Sequence, residues 1–281
     1  MRKQRQLDDP RSLNDAAAGA VIFAFGSLGP DYGSWPGPAL VEFLGAIGMS
    51  EPTARATILR MRRSGRLVSE RRGRFVEYSL AAPSRALASE VLAPIVGERP
   101  AWDGLFHGLL FSIPESGRAY RDALRRAAVL AGFGLLRPGL LVVTDESRWT
   151  RIASLLQGAP RGSRLLRVEL RLAPEDARAA AAEAWPLQAL ADAYRQHAAD
   201  LRRTTDRLRS DPPAGPSAAT AMWAAMTPVS RTAIDDPALP VELLPRDWPG
   251  PEIRKALLDL LPVVAPGLQA YIRELMADRQ G

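Results

Sequence analysis

The sequence predicts an α+β multidomain protein in three folded parts, because three patterns follow one another along it. A series of short apolar helices ends in an Arg-rich helix and a glycine-tipped hairpin, the order of an N-terminal winged helix-turn-helix. The middle stretch alternates as βαββαβ, the ferredoxin-like arrangement. The remainder is a C-terminal all-helical domain. The expected boundaries are 1–82 for the winged helix-turn-helix, 83–101 for a linking helix, 102–174 for the ferredoxin-like part and 175–281 for the helical part.

Residues 1–11 carry Arg2, Lys3, Arg5 and Arg11 and read as a polar, mobile arm, with minor-groove contact as the alternative. Residues 15–27 are Ala-rich with Val21, Ile22 and Phe25, and read as a first helix. Gly and Pro crowd 28–38 and break it. Residues 39–47 read as a second helix closed by Gly48. Ser50 then stands as an N-cap, and Pro52 fits a first turn that has no amide bond to lose. The third helix runs to about Arg63. Ala54, Ile58 and Met61 recur on one face and point inward. Thr53, Ala56, Arg60 and Arg63 fall on the opposite arc, with Arg55 and Arg62 on one flank. Gly65 stops this helix. Strand-like runs at 67–70 and 75–80 flank Arg71-Arg72-Gly73-Arg74, a turn bearing three guanidinium groups.

Beyond the linking helix, 109–113 is a short apolar run ended by Pro114. Residues 117–131 read as a helix, 133–136 and 140–143 as a hairpin about Arg137-Pro138-Gly139, and 148–157 as a second helix. In 166–172, Leu166, Val168, Leu170 and Leu172 alternate with Arg167, Glu169 and Arg171, the pattern of a half-exposed strand. Residues 175–209 are helical, broken near Trp185-Pro186. Leu187, Leu190, Tyr194, His197, Leu201 and Leu208 form a stripe at nearly heptad spacing, too short for a convincing coiled coil. A helix at 218–234, an irregular Pro-studded stretch at 236–250, and two closing helices at 252–261 and 266–276 complete the chain.

Composition narrows the chemistry. The 281 residues include 47% hydrophobic and 24% charged side chains, enough for sizeable cores. The net charge of +6 favours polyanionic partners. With no Cys and only His107 and His197, thiolate and histidine metal sites are not expected, and no cofactor is implied. No apolar run approaches the roughly 20 residues of a membrane span, and the charged N-terminus lacks a signal-peptide core, so a cytoplasmic, nucleoid-associated location is expected.

Four stretches carry a likeness to a known family. The first is the cationic helix and hairpin, with Arg55, Arg60, Gly65, Leu67, Arg71, Gly73, Arg74 and Tyr78-Ser79-Leu80. The second is Pro100-Ala101-Trp102-Asp103-Gly104. The third is Trp185-x-Leu187 followed by Tyr194. The fourth and most specific is Asp236-Pro237-Ala238-Leu239-Pro240-Val241-Glu242-Leu243-Leu244-Pro245, with Trp248 after it. In this order and spacing the chain resembles the PaaX-type transcriptional regulators, the phenylacetic acid degradation repressor family. The resemblance implies a dimeric repressor of a catabolic operon, with a middle domain similar to the small ferredoxin-like CRISPR endonuclease. It also implies an inducer that is an aromatic acyl-coenzyme A thioester. The chain departs from the family at 227–231, where Thr-Pro-Val-Ser-Arg replaces an aromatic and paired basic residues. Arg66 stands where the family has Trp.

A cationic helix suits the major groove of operator DNA. Thr53, Ala56 and Arg60 are assigned to base edges and Arg55 to a base or a phosphate. Arg63, Arg71, Arg72 and Arg74 are assigned to phosphate or the groove beside the wing. An acyl-CoA inducer needs cations for its phosphates and an apolar slot, for which Trp185, Tyr194, Trp223 and Arg231 are candidates. Nuclease activity is not expected, because the first middle strand ends in Ser112-Ile113-Pro114 with no carboxylate to hold a metal. The competing reading is an RNA-binding or protein-interaction adaptor working through the ferredoxin-like part. Against RNA binding stands the lack of aromatics on strand 166–172. A homodimer could form through the 187–208 stripe, the middle part or the C-terminal helices.

Overall fold

In the computed structural model, which describes residues 16–277 apart from Pro30 and Tyr32, the first helix α1 spans Ala16–Gly26. The basic stretch 1–11 and the expected helix start at Asp15 lie outside the described residues. Strand β1 (Trp35–Pro36) and helices α2 (Gly37–Ala46) and α3 (Glu51–Arg63) follow, then the hairpin β2 (Leu67–Arg72) and β3 (Phe75–Leu80). The sheet order is β1-β3-β2, all antiparallel. The Gly/Pro stretch, expected only to break the chain, therefore also supplies a strand. Trp35 pairs with Tyr78 and is fully buried, its Nε1 donating to the Ala24 carbonyl at 3.0 Å.

The helix α4 (Ala82–Val91) and the turn α5 (Ala93–Val96) lead to β4 (Phe106–Ser112), α6 (Arg118–Leu130), β5 (Gly134–Arg137), β6 (Leu140–Val143), α7 (Trp149–Gln157) and β7 (Arg164–Leu170). These strands form an antiparallel sheet in the order β5-β6-β4-β7. One face packs on α6 and α7 through Leu109, Phe111, Leu141, Val143, Leu124, Ala128 and Ile152. The other face meets α8 (Pro174–Ala184) and the segment 239–244 through Phe106, Val142, Ala177, Ala181, Leu239 and Leu243. That cover stops short of the β4–β7 end carrying Leu110 and Leu166, a cross-strand pair that is 45% and 55% exposed. The alternation expected of this strand therefore leaves Val168 and Leu170 half-buried and Leu166 exposed.

Helices α9 (Leu187–Arg209), α10 (Pro216–Asp235) and α11 (Gly250–Ala277) complete the chain. The two expected closing helices are one continuous α11, with Pro262 and Pro266 inside it. Both prolines face solvent, four residues apart on one side, where a missing backbone bond is left to water. The opposite stripe, from Ile253 through Leu260 and Val264 to Leu275, is buried without interruption. Packing along that stripe outweighs the local cost of the two prolines. Among the described residues no helix is long and apolar enough to cross a membrane.

The chain forms two compact units built from discontinuous segments. One comprises Met1–Ile95, Tyr194–Ile234 and Gly250–Gly281; the other comprises Val96–Ala193 and Asp235–Pro249. The leucine stripe on α9 is consumed internally. Leu187 and Leu190 lie in the core of the second unit, and Tyr194 and Leu201 are buried in the first. In the first unit His197 shares a 2.9 Å hydrogen bond with Thr232 Oγ1. Burial lowers its pKa, and attraction from Asp200 only partly opposes that. A histidine depressed on folding contributes stability that is present above its ordinary range and lost as pH falls through its folded pKa. Urea midpoints at about pH 7.5 and pH 5 should therefore differ less for His197→Gln than for the native chain. An unaltered difference would remove this histidine as a cause.

Candidate DNA interface and effector cavity

The surface around α3 is set by the helix's two faces. Ala54, Thr57, Ile58 and Met61 are buried, and α3 is held from behind by α1, α2 and β2. Thr53, Arg55, Ala56, Arg60 and Arg63 are all exposed. Ser50 occupies the N-cap position with extended backbone, but its hydroxyl pairs with the Thr53 hydroxyl at 2.8 Å rather than with a first-turn amide. The cap expected at this position is thus a bond between two exposed side chains. Arg55 is tied to Glu51 one turn back, at 2.7 Å, in an exposed pair of the kind that contributes a few tenths of a kcal/mol. Arg60 donates to Thr57 Oγ1 at 3.0 Å, and Thr57 is itself only 1% exposed. The guanidinium is therefore held through one terminal nitrogen, Nη2, by a hydroxyl fixed in the core, which limits the rotamer freedom to be lost on binding.

The hairpin carries the remaining cations. Arg72 pairs with Phe75 across a two-residue turn, Gly73-Arg74. Gly73 has φ +59°, which fits the hairpin turn that places glycine first. Arg71, Arg72 and Arg74 are exposed. Glu70 and Glu77 stand directly opposite each other, and Arg72 lies within 3.5 Å of the first and 3.6 Å of the second. Arg72 therefore offsets a like-charge pair in the hairpin as well as adding charge at its tip. Arg74 sits 4.9 Å over the Phe75 ring.

Of the four effector candidates, Trp185 belongs to the second unit and Tyr194, Trp223 and Arg231 belong to the first. Trp185 lies in the second unit's core, its Nε1 donating to the Gly132 carbonyl at 3.1 Å. Its ring and Ala184 fill the space that a Cβ on Gly134 would need, at 2.6 and 2.8 Å, so β5 passes close against them. Tyr194 is buried in the first unit and lines no cavity described there. Trp223 and Arg231, one candidate aromatic and the candidate cation, do share a cavity of about 590 Å³ within the first unit. Helices α1 and α4 form part of its wall and α10 and α11 the rest. Phe23 and Trp223 meet inside at 5.1 Å between ring centroids. Met222, Met226 and Leu268 add apolar surface. The spacing Met222-Trp223-x-x-Met226 was the available sequence signal, since methionines beside an aromatic make an adaptable lining. The α1 and α4 walls left no such signal, because only the tertiary fold brings them to α10.

In the second unit the 236–245 motif is anchored by charge. Arg99 Nη2 pairs with Asp236 Oδ2 at 2.8 Å, and Arg99 Nη1 donates to the Leu239 carbonyl at 3.1 Å. The side chains are 9% and 0% exposed. Asp236 Oδ1 also accepts from the Ala238 amide at 2.7 Å, holding Ala238 at φ +54°. Among the described residues, no three His, Cys, Asp or Glu side chains gather where they could hold a metal ion.

The folded parts define a mixed α+β protein with an N-terminal helix-and-hairpin block, a central four-stranded domain and a helical C-terminal region. Three family models fall on these parts in order: PaaX-like protein at residues 18–84, PaaX protein central Cas2-like domain at 99–171, and PaaX-like protein C-terminal domain at 185–274. The chain belongs to the PaaX-type family. It is 26% identical over 252 residues to the transcriptional repressor PaaX of Escherichia coli (strain K12), covering 85% of this chain and 77% of that protein. In fold it is similar to the uncharacterized protein Rv0674 from Mycobacterium tuberculosis, with a TM-score of 0.54 and 23% identity. That likeness covers 85% of this chain and 90% of the other.

Proposed function

We propose that the protein is a DNA-binding transcriptional repressor that acts as a dimer on a catabolic operon and is released by a small-molecule inducer such as an acyl-CoA. The N-terminal block acts as a winged helix-turn-helix, with α3 in the major groove and the β2–β3 hairpin as the wing. The ferredoxin-like middle domain has no catalytic part in this reading. The observation that carries it is the two-sidedness of α3: Ala54, Ile58 and Met61 in the core, Thr53, Ala56, Arg60 and Arg63 all outward. A helix of that build fits a groove about 12 Å wide, and the arginine-tipped hairpin can reach the adjoining backbone. The likeness to a curated transcriptional repressor supports the same reading.

The contacts divide by type. Arg60, with Thr53 and Ala56, faces base edges, and Arg55 reaches a base or a phosphate. Arg63, Arg71, Arg72 and Arg74 neutralise phosphates. Arg72→Ala is expected to weaken operator and random duplex alike and to lower the salt slope by about one unit. Fluorescence anisotropy at several salt concentrations checks this, and a loss confined to the operator would contradict it. The deciding experiment for the class is a gel shift on the DNA upstream of the protein's own gene, with duplex and single-stranded RNA as controls. Retention of the DNA alone supports the repressor. Preference for RNA would replace it with an RNA-binding adaptor.

A further inference from the structure

We propose that Thr57 is a positioning residue for DNA recognition: its buried hydroxyl aims the Arg60 guanidinium at base edges, so operator preference depends on a side chain that itself touches no DNA. The proposal rests on the repressor reading and on the part given there to Arg60. Thr57 lies three residues before Arg60 on α3, about 60° round the helix, which puts the first on the core side and the second on the outward arc. Thr57 is 1% exposed, and the other buried side chains of α3, Ala54, Ile58 and Met61, are apolar. Its Oγ1 accepts from Arg60 Nη2 at 3.0 Å, and among the described residues that is the one side-chain hydrogen bond Thr57 makes. A hydroxyl at such a place does little for the core. It gives up water on burial, and a single bond repays that only in part. Valine has nearly the same shape, lacks that cost, and is as good a helix former. The gain falls to Arg60, which meets an acceptor fixed by packing.

The other cations of α3 have no such anchor. Arg55 pairs with Glu51, and the two side chains are 64% and 63% exposed. Arg62 and Arg63 are exposed and, among the described residues, make no side-chain hydrogen bond or ion pair. A guanidinium carries five donors in a rigid plane, so one bond at Nη2 restricts that plane without consuming the fork. Recognition of guanine by the fork depends on direction as well as charge. A phosphate contact carries no sequence information and draws mainly on charge. Loosening Arg60 therefore costs preference before it costs general affinity.

The test uses the full chain with Thr57→Val, Thr57→Ser, Arg60→Ala and the double variant Thr57→Val/Arg60→Ala. Each is measured by competition anisotropy on the upstream duplex and on a scrambled duplex of equal length, with urea midpoints alongside. Thr57→Val is expected to lower the preference for the upstream duplex by about 2- to 12-fold, the cost of ordering one long side chain that is no longer held. Its affinity for the scrambled duplex should stay the same, and its urea midpoint should stay equal or rise. Thr57→Ser keeps the oxygen and should keep the preference. In the Arg60→Ala background, Thr57→Val should change the preference no further, because the two residues act as one unit. Native preference in Thr57→Val, or an equal loss with and without Arg60, would overturn the positioning role and leave the repressor reading in place. A preference that falls only together with the urea midpoint would make the hydroxyl structural and overturn it too. An Arg60→Ala variant with native preference would overturn the base contact itself, and the positioning with it.

Discussion

Arg60→Ala is expected to lower the preference for operator over random duplex by about 5- to 150-fold. That corresponds to the ~1–3 kcal/mol by which a bidentate arginine–guanine contact discriminates against a wrong base pair. The effect is large because Arg60 starts well placed. Thr57 is buried, and its hydroxyl accepts from the Arg60 guanidinium at 3.0 Å. Arg60→Lys keeps the charge but lacks the planar fork, so it should recover general affinity without recovering the preference. Competition anisotropy with operator and scrambled duplexes of equal length separates the two quantities. Equal losses on both sequences for Arg60→Ala would show that the residue contacts only phosphate.

Asp236→Ala is expected to destabilise the second unit by about 3–5 kcal/mol, as removal of one partner from a buried ion pair does. The substitution removes the Asp236 carboxylate from the buried Arg99 guanidinium, which lies 5.2 Å from the Trp248 ring centroid. It also takes the acceptor from the Ala238 amide, at a residue already held at φ +54°. Asp236→Asn keeps an acceptor for that amide and should lose less. Urea unfolding followed by near-ultraviolet circular dichroism measures the shift. An unchanged midpoint for Asp236→Ala would mean that the Arg99–Asp236 pair does not stabilise the 236–245 segment.

Much of the fold was legible in the sequence, for physical reasons that particular residues make clear. Period 3.6 in 54–61 and the Gly73 turn placed α3 and the hairpin within a residue or two, because burial of one helix face and the glycine requirement are local facts. The order of the middle elements was readable from short apolar runs bounded by Pro and Gly. Nonlocal packing was not readable. Trp35 becomes a strand only because β3 lies beside it. Pro262 and Pro266 argue locally for a break in α11, and a core stripe on the other side overrides them. The exposure of Leu166 follows from how far α8 and the 239–244 segment extend over the sheet, which no alternation pattern encodes.

The effector residues show the same division. Trp185 and Tyr194 belong to a family-like motif, and each is buried, Trp185 with its Nε1 bonded to the Gly132 carbonyl. Trp223 and Arg231 sit at a cavity, but the other half of that cavity comes from α1 and α4, about 130 or more positions away along the chain by the spacing of Ile22, Leu92 and Trp223. Aromatic type in a sequence says that a ring will be covered; it does not say by what.

Guanine N7 is an acceptor that the outward face of α3 would meet if it reads base edges in the major groove. Replacing guanine by 7-deazaguanine, one operator position at a time, removes the N7 acceptor while leaving pairing and backbone intact. A sharp loss of affinity is expected at one or more guanine positions for the native protein, and no loss at those positions for Arg60→Ala. Native binding indifferent to every such replacement, or an Arg60→Ala variant that responds as the native protein does, would contradict it.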